Sequence, residues 1–128
     1  EGIRIGYHNH GVEFQPIDGQ KPWDIFFDNT DPEVIMQLDI GNALFGGADP
    51  YDYLEKYPGR ATLVHLKDYA AEAEVRVLGD GQVDWERVFD LCERFQDPAW
   101  YIVEQESQTA TPFEGAKLSL QYLLGLNG

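Results

Sequence analysis

Ionisable side chains close four short apolar segments of this 128-residue sequence, at positions 3–8, 34–39, 61–65 and 100–104. Each segment is rich in β-branched or aromatic residues and is short enough to form a buried strand. The residues at or just beyond the four ends include all three histidines of the protein, together with several carboxylates. Imidazole and carboxylate groups bind divalent metals and transfer protons in enzymes, so these ends are the best location for an active site.

The last residues of the four segments form a candidate metal site. Side chains alternate along a strand, so one inward-pointing residue from each strand would bring two imidazoles and two carboxylates to one point. Such a donor set suits Mn, Co, Fe or Zn, and carboxylate-rich sites also bind Mg. Taken singly, each residue has a simpler interpretation, as a hydrogen-bonded core histidine, a turn former or a salt-bridge partner. Their occurrence at four consecutive strand ends favours one divalent ion bound by His8, Asp39, His65 and Glu104.

A helical pattern follows each predicted strand. Apolar residues at helical spacing follow the first and third strands, an Asp-Pro helix start follows the second at Asp49, and a capping box follows the fourth at Thr111. Strands that alternate with amphipathic helices form parallel sheets with right-handed crossovers. The sequence therefore predicts an α/β fold in a single domain over residues 1–128. Its four βα units are half of a (β/α) TIM-type barrel.

The predicted helices have apolar faces that we expect in the core. The first helix carries Trp23, Phe26 and Phe27, and the third carries a stripe that begins at Trp85 and includes Cys92 as a buried thiol. The last helix has an apolar set formed by Phe113, Ala116, Leu120, Leu123 and Leu124. The open side of such a four-stranded sheet would need a cover, either a missing N-terminal half barrel or a second copy in a homodimer.

Composition and charge narrow the possible functions. Hydrophobic residues make up 43% and charged residues 25%, which is typical of a globular protein. The net charge of -14 argues against nucleic acid and anionic membrane as partners, because both require a basic surface. No apolar run approaches the roughly 20 residues that cross a bilayer. The single cysteine allows no internal disulfide. We expect a cytoplasmic protein. We also expect this sequence to be a segment of a longer one.

Six motifs run the whole length of the chain. They are GYHNHGVEF at 6–14, QLDIGN at 37–42, DPYDYLEKYPG at 49–59, HLKD at 65–68, GDGQVDW at 79–85 and VEQE at 103–106. In this order they resemble the xylose-isomerase-like barrel superfamily, often described as sugar phosphate isomerases/epimerases. The resemblance implies that the chain holds strands five to eight of a TIM-type barrel with one divalent metal. The endonuclease IV branch is also similar, but it binds DNA and holds three zinc ions with more histidines than this chain has.

The resemblance implies ligand positions as well. In its ketose epimerase branch a Glu, an Asp, a His and a second Glu on these four strands hold the metal. Asp39, His65 and Glu104 match three of these positions, and His8 stands in place of the first Glu. A histidine there makes lyase or dehydratase chemistry on a keto-sugar more plausible than in the two-carboxylate epimerases. His10 lies on the same strand face as His8 and is the alternative ligand.

The expected function is a divalent-metal-dependent sugar isomerase or epimerase that abstracts a proton next to a carbonyl of a sugar or polyol. Glu104 is expected to be both ligand and base, His8 the acid or base on the opposite face of the substrate, and Lys67 an electrophile. Glu13 and Asp68 are candidates for orienting the imidazoles. The alternatives are a keto-sugar lyase or dehydratase, a non-catalytic half barrel that dimerises, and a keto-sugar binding module without catalysis. Substrate contacts are expected from His10, Asn42, Lys67 and Glu106.

Overall fold

A computed structural model of the chain describes residues 2–72, 77–106 and 111–126. Four parallel strands lie side by side in chain order: β1 (Gly6–His8), β2 (Ile35–Asp39), β3 (Leu63–Leu66) and β4 (Trp100–Val103). The helices are α1 (Pro22–Asp28), α2 (Ile40–Phe45), α3 (Pro50–Lys56), α4 (Trp85–Phe95) and α5 (Pro112–Leu126), and a short 3-10 helix spans Val12–Phe14. This order confirms the predicted α/β fold of four parallel βα units.

One face of the sheet packs against the helices and forms the core. Alternate side chains of β2 and β3 are fully buried on this face: Met36, Leu38, Val64 and Leu66. Trp23 and Phe27 of α1 are buried as predicted, whereas Phe26 is 37% exposed. The α4 stripe also packs as predicted, with Trp85 and Cys92 buried. Each large side chain removed from water in this way contributes about 1.5–3 kcal/mol.

The first strand is shorter than the sequence predicted. Its pairing with β2 covers Gly6–His8 and does not begin at residue 3. Ile3 and Ile5 are 87% and 69% exposed. The reason is that β1 is an edge strand, and no strand within the described ranges pairs with its outer side.

The last helix also differs from the prediction. Its apolar residues Phe113, Leu120 and Leu124 are 83%, 55% and 65% exposed, and the buried positions are Gly115 and Ser119. Helix α5 is apolar on more than one side, and the side that carries Tyr122, Leu123 and Leu126 packs against the core. Neither α5 nor any other helix in the described part of the chain is long and apolar enough to cross a membrane.

The second face of the sheet is open. Trp100 is 68% exposed, and Leu63 and Ile102 are only partly buried; the strand register places all three on the face opposite the buried Val64 and Leu66. In a closed barrel this face lies inside, where side chains from all strands fill the interior. The open face therefore has the apolar character of a barrel interior.

Candidate metal centre

The ends of the four strands meet at the carboxyl edge of the sheet. One potential ligand atom from each of four side chains lies within 4.8 Å of the others, and the four residues are His8, Asp39, His65 and Glu104. Strand register explains the convergence. Asp39 pairs with His65, and His65 pairs with Ile102, two residues before Glu104. Because side chains alternate, these residues project from the open face of the sheet.

Glu104 is the central carboxylate of the cluster. Its Oε2 lies 2.7 Å from His65 Nδ1, and its Oε1 accepts a hydrogen bond of 3.0 Å from Lys67 Nζ. The Lys67 ammonium also donates to Glu106. His8 Nε2 is 4.0 Å from Glu104 Oε2, and the His8 and His65 ring centroids are 4.5 Å apart. Both carboxylate oxygens are therefore engaged by cationic or imidazole groups.

His8 is predicted to act as an acid or base on the face of a substrate opposite Glu104. Two groups that exchange a proton with one carbon from opposite faces lie about 6 Å apart, since each stands about 3 Å from that carbon. The nearest atoms of the two side chains, His8 Nε2 and Glu104 Oε2, are 4.0 Å apart. This distance suits two ligands of one ion, and the role of His8 as acid or base opposite Glu104 stays a prediction.

Asp39 presents one oxygen to the cluster. It is the last residue of β2 and the N-cap of α2, and its Oδ1 accepts a 2.6 Å hydrogen bond from the Asn42 amide N–H. Its Oδ2 is buried and has no hydrogen-bond partner among the described residues. Burial raises the pKa of this carboxyl to about 7; the Asn42 N–H opposes the rise, and the charge of Glu104 adds to it. The carboxylate form of Asp39 is thus short of a positive partner.

The other groups have shifted protonation equilibria too. Burial raises the pKa of Glu104, but hydrogen bonds from His65 and Lys67 outweigh it, so the net pKa is below the ordinary value. Burial lowers the pKa of Lys67, yet bonds to Glu106 and Glu104 make the net pKa higher than usual. Burial, followed by the neighbouring His65, lowers the pKa of His8. At neutral pH the cluster holds a carboxylate, an ammonium and a neutral imidazole at His8.

The donor set fits a divalent cation. Two of the three buried side-chain N and O atoms without a hydrogen-bond partner in the described chain belong to this cluster, namely Asp39 Oδ2 and His8 Nδ1. A buried carboxylate oxygen is costly unless a proton, a donor or a metal ion neutralises it. Two imidazoles with two carboxylates suit Mn, Co or Zn, and they are a less usual set for Mg.

The predicted substrate contacts occupy different positions around the cluster. The His10 side chain is 71% exposed, and its ring centroid lies 5.2 Å from that of His8. Glu106 is exposed beside Lys67. Asn42 is buried, and its side-chain amide donates to the Asn9 carbonyl oxygen at 3.2 Å. His10, Lys67 and Glu106 thus remain accessible for substrate contacts, whereas Asn42 faces the protein.

Of the two residues considered for orienting the imidazoles, only Glu13 is near one. Glu13 accepts hydrogen bonds from the Tyr7 hydroxyl and from the His10 backbone N–H, and its Oε1 is 4.0 Å from His10 Nδ1. Asp68 has another role. Its carboxylate accepts bonds from four backbone N–H groups and the Trp85 indole, and the loop glycines Gly79 and Gly81 supply two of those N–H groups.

The expectation for Asp68 was therefore wrong, and the reason lies in the loop between β3 and α4. A carboxylate that accepts five N–H bonds has no lone pair to spare for an imidazole. Gly81 is required beside it, because a Cβ at this position would lie 2.1 Å from Asp68 Oδ1. Asp68 thus fixes the loop that follows the strand of His65.

Asn9 is the residue of this site that sequence reasoning did not single out. It is fully buried, donates to the Asp39 carbonyl oxygen at 3.0 Å and accepts from the Asp39 N–H at 2.8 Å. A sequence signal was present, because Asn9 alternates with His8 and His10 and must therefore point to the helix side of the sheet. A polar side chain on that side needs backbone partners.

Comparisons with known proteins agree with this architecture. The family profile described as xylose isomerase-like TIM barrel matches residues 1–126. Inosose dehydratases from Clostridium beijerinckii and Geobacillus thermodenitrificans are each 30% identical over 145 residues, which cover 96% of this chain and 48% of those proteins. A sugar phosphate isomerase/epimerase from Parabacteroides distasonis has a similar crystal structure, with a TM-score of 0.81 and 34% identity over 95% of this chain and 45% of that one.

The chain spans about half the length of the curated relatives that it matches. The match extends over nearly all of the chain, and it includes the four strands that carry the cluster. The chain belongs to the xylose isomerase-like TIM barrel family.

Proposed function

We propose that this chain carries half of the active site of a divalent-metal-dependent enzyme that removes a proton next to the carbonyl of a sugar or polyol. The observation that supports this most strongly is the convergence of His8, Asp39, His65 and Glu104 within 4.8 Å, with a buried Asp39 oxygen lacking a partner among the described residues. A cation bound by these four residues would supply Lewis-acid stabilisation of the negative charge that develops on the carbonyl oxygen.

The proton-transfer groups are Glu104 and Lys67. Glu104 has a pKa below its ordinary value and is ionised at neutral pH, so its Oε1 is ready to accept a proton. Lys67 has a raised pKa and is an ammonium, and its Nζ lies 3.0 Å from that same oxygen. Base and acid are therefore neighbours on one side of the substrate.

This arrangement favours dehydration over epimerisation. Glu104 takes the proton from the carbon next to the carbonyl, a carbon–carbon double bond forms, and the hydroxyl on the following carbon leaves. Lys67 protonates that hydroxyl to give water, and the proton on Glu104 then passes to Lys67 along their hydrogen bond. The relatives named inosose dehydratase support this reaction.

Isomerisation or epimerisation of a sugar is the second candidate. The similar solved structures carry the name sugar phosphate isomerase/epimerase. An epimerase needs a second acid or base across the substrate, and His8, whose Nε2 lies 4.0 Å from Glu104 Oε2, is the candidate for it.

A second set of four βα units would complete the barrel. The open apolar face around Trp100 and the half-length match to relatives support this. The second half belongs either to the same polypeptide, in which case residues 1–128 are the C-terminal half of a barrel domain, or to another copy of this chain. A half barrel that dimerises without catalysis is the alternative, and turnover separates it from an enzyme.

The test is turnover of keto-sugars and keto-polyols with Mn or Co in heavy water, followed by proton NMR. Formation of an unsaturated ketone supports the dehydratase, and a changed configuration with deuterium next to the carbonyl supports the second candidate. Lys67→Met should abolish turnover and keep metal binding. Lys56→Met is the matched control, because Lys56 also pairs with two carboxylates, Asp24 and Asp28, but lies on α3. If neither reaction occurs with metal bound and both halves of the barrel present, the non-catalytic half barrel is the remaining interpretation.

A further inference from the structure

The side chain of Asn9 is bound to both backbone polar groups of Asp39. Its amide NH₂ donates to the Asp39 carbonyl oxygen at 3.0 Å, and its amide oxygen accepts from the Asp39 N–H at 2.8 Å. Asn9 is fully buried on the helix side of the sheet, directly after His8. One side chain thus joins the end of β1 to the end of β2.

These contacts lie where regular strand pairing stops. The ladder between the two strands ends with His8 opposite Gln37, two residues before Asp39. Without a ladder partner on β1, the Asp39 N–H and carbonyl oxygen would need water or another acceptor and donor on that side. The Asn9 amide supplies both, so the backbone of Asp39 is held beyond the last residue that pairs with β1.

Asn42 closes the arrangement into a ring. Its backbone N–H donates to Asp39 Oδ1 at 2.6 Å, and its side-chain amide donates to the Asn9 carbonyl oxygen at 3.2 Å. Oδ1 is therefore engaged within the ring, and Oδ2 is left to face the cluster. Gly41, next to Asn42, lets the start of α2 approach the backbone that follows β3, since a Cβ there would lie 2.6 Å from the Lys67 carbonyl oxygen.

We propose that Asn9 is a positioning residue for the metal centre, which fixes Asp39 through two backbone hydrogen bonds and His8 through the adjoining peptide. The inference rests on the proposed function, because it assumes that Asp39 and His8 bind the ion. Removal of partners that orient a ligand typically lowers metal affinity by about 10–100-fold. Asn9 lies on the helix side of the sheet, opposite the face from which His8 projects, and it acts through the two ligands.

A matched buried amide separates positioning from mere stabilisation. Gln96 is also buried, accepts from the Ala61 N–H at 2.8 Å and donates to the carbonyl oxygens of Leu54 and Tyr57. It lies beyond α4, away from the strand ends that carry the cluster. Asn9→Ala and Gln96→Ala should both lower the urea midpoint of the metal-free chain.

The experiment titrates wild type, Asn9→Ala and Gln96→Ala with Mn and Co by calorimetry, well below their unfolding temperatures. We expect a loss of at least about tenfold in affinity for Asn9→Ala, with a changed visible spectrum of bound Co, and wild-type values for Gln96→Ala. Equal affinity and an identical Co spectrum in Asn9→Ala and wild type would overturn the positioning role. If the wild type itself binds no metal, the proposed function fails. That result differs from equal metal binding by wild type and Asn9→Ala, which overturns only the positioning role.

A milder variant keeps the proposal testable if Asn9→Ala does not fold. Asn42→Ala removes only the 3.2 Å bond to the Asn9 carbonyl and leaves the backbone bond to Asp39 Oδ1 in place. It should weaken metal binding several-fold while the chain stays folded. Unchanged affinity and Co spectrum in a folded Asn42→Ala would count against the ring.

Discussion

The metal-free protein should become more stable when Asp39 is replaced by asparagine. Asp39 is fully buried, and burial raises the pKa of its carboxyl from 3.8 to about 7. At 1.36 kcal/mol per pKa unit, this difference corresponds to about 4 kcal/mol of cost for the ionised form. Asparagine keeps an oxygen for the Asn42 N–H but accepts a weaker bond, which removes about 1 kcal/mol of the gain. We expect Asp39→Asn to raise the free energy of unfolding by about 3 kcal/mol at about pH 8.

The gain in the free energy of unfolding from Asp39→Asn should increase as the pH rises. Between about pH 4 and 7 the unfolded wild type has released the Asp39 proton and the folded protein still holds it. The stability of the wild type therefore falls as pH rises through this window and levels off above the folded-state pKa of about 7. Asp39→Asn has no such group, so the two proteins should be close in stability near about pH 4 and differ most above about pH 7.

Urea unfolding in EDTA at about pH 5 and about pH 8, at one protein concentration, measures this difference. Asp49→Asn is the matched control, because Asp49 is an exposed N-cap whose Oδ1 accepts from the Tyr51 N–H. Asp and Asn are similar as N-caps, so its effect should stay within about 0.5 kcal/mol at both pH values. A metal-free wild type that is more stable than Asp39→Asn at the higher pH would refute this reasoning. It would show that the buried Asp39 charge does not destabilise the metal-free fold.

Three further predictions follow from contacts in and around the site. Asp68→Ala should destabilise the chain by about 3 kcal/mol in urea unfolding, because five N–H donors lose their acceptor; an effect below about 0.5 kcal/mol would contradict the loop-anchoring role. Cys92, buried and with its pKa raised to about 12 by burial, should react with a thiol reagent only in denaturant; rapid labelling of the folded chain would contradict the α4 packing. Metal affinity should fall by about tenfold per pH unit below about pH 7, because Asp39 must release its proton; a flat calorimetric profile between about pH 5 and 7 would contradict this.

The position of the cluster was predictable because two simple rules determine it. Alternation along a strand and the parallel order of strands together bring His8, Asp39, His65 and Glu104 to one edge. Helix caps were predictable for the same local reason. Asp49 caps α3, and Thr111 accepts from the Glu114 N–H at the start of α5, as the sequence indicated.

Other features depend on contacts between distant parts of the chain. Asp68 and Gly81 are 13 residues apart, and Asn9 and Asp39 are 30 apart, so no local pattern reveals either pairing. The distance between His8 and Glu104 depends on how β1 to β4 curve, which periodicity does not encode. The exposed side of α5 was missed because an all-round apolar pattern does not tell which side packs.

The most direct test of the central claim is the number of divalent ions bound per chain, measured by elemental analysis after loading with Mn, Co or Zn. We expect about one ion per chain in the wild type and none in Asp39→Asn, since four ligand atoms lie within 4.8 Å and one of them would lose its charge. The Asp49→Asn control should keep its ion. Absence of bound ion in the wild type with all three metals, or equal binding in Asp39→Asn, would contradict the assignment of this cluster as a metal centre.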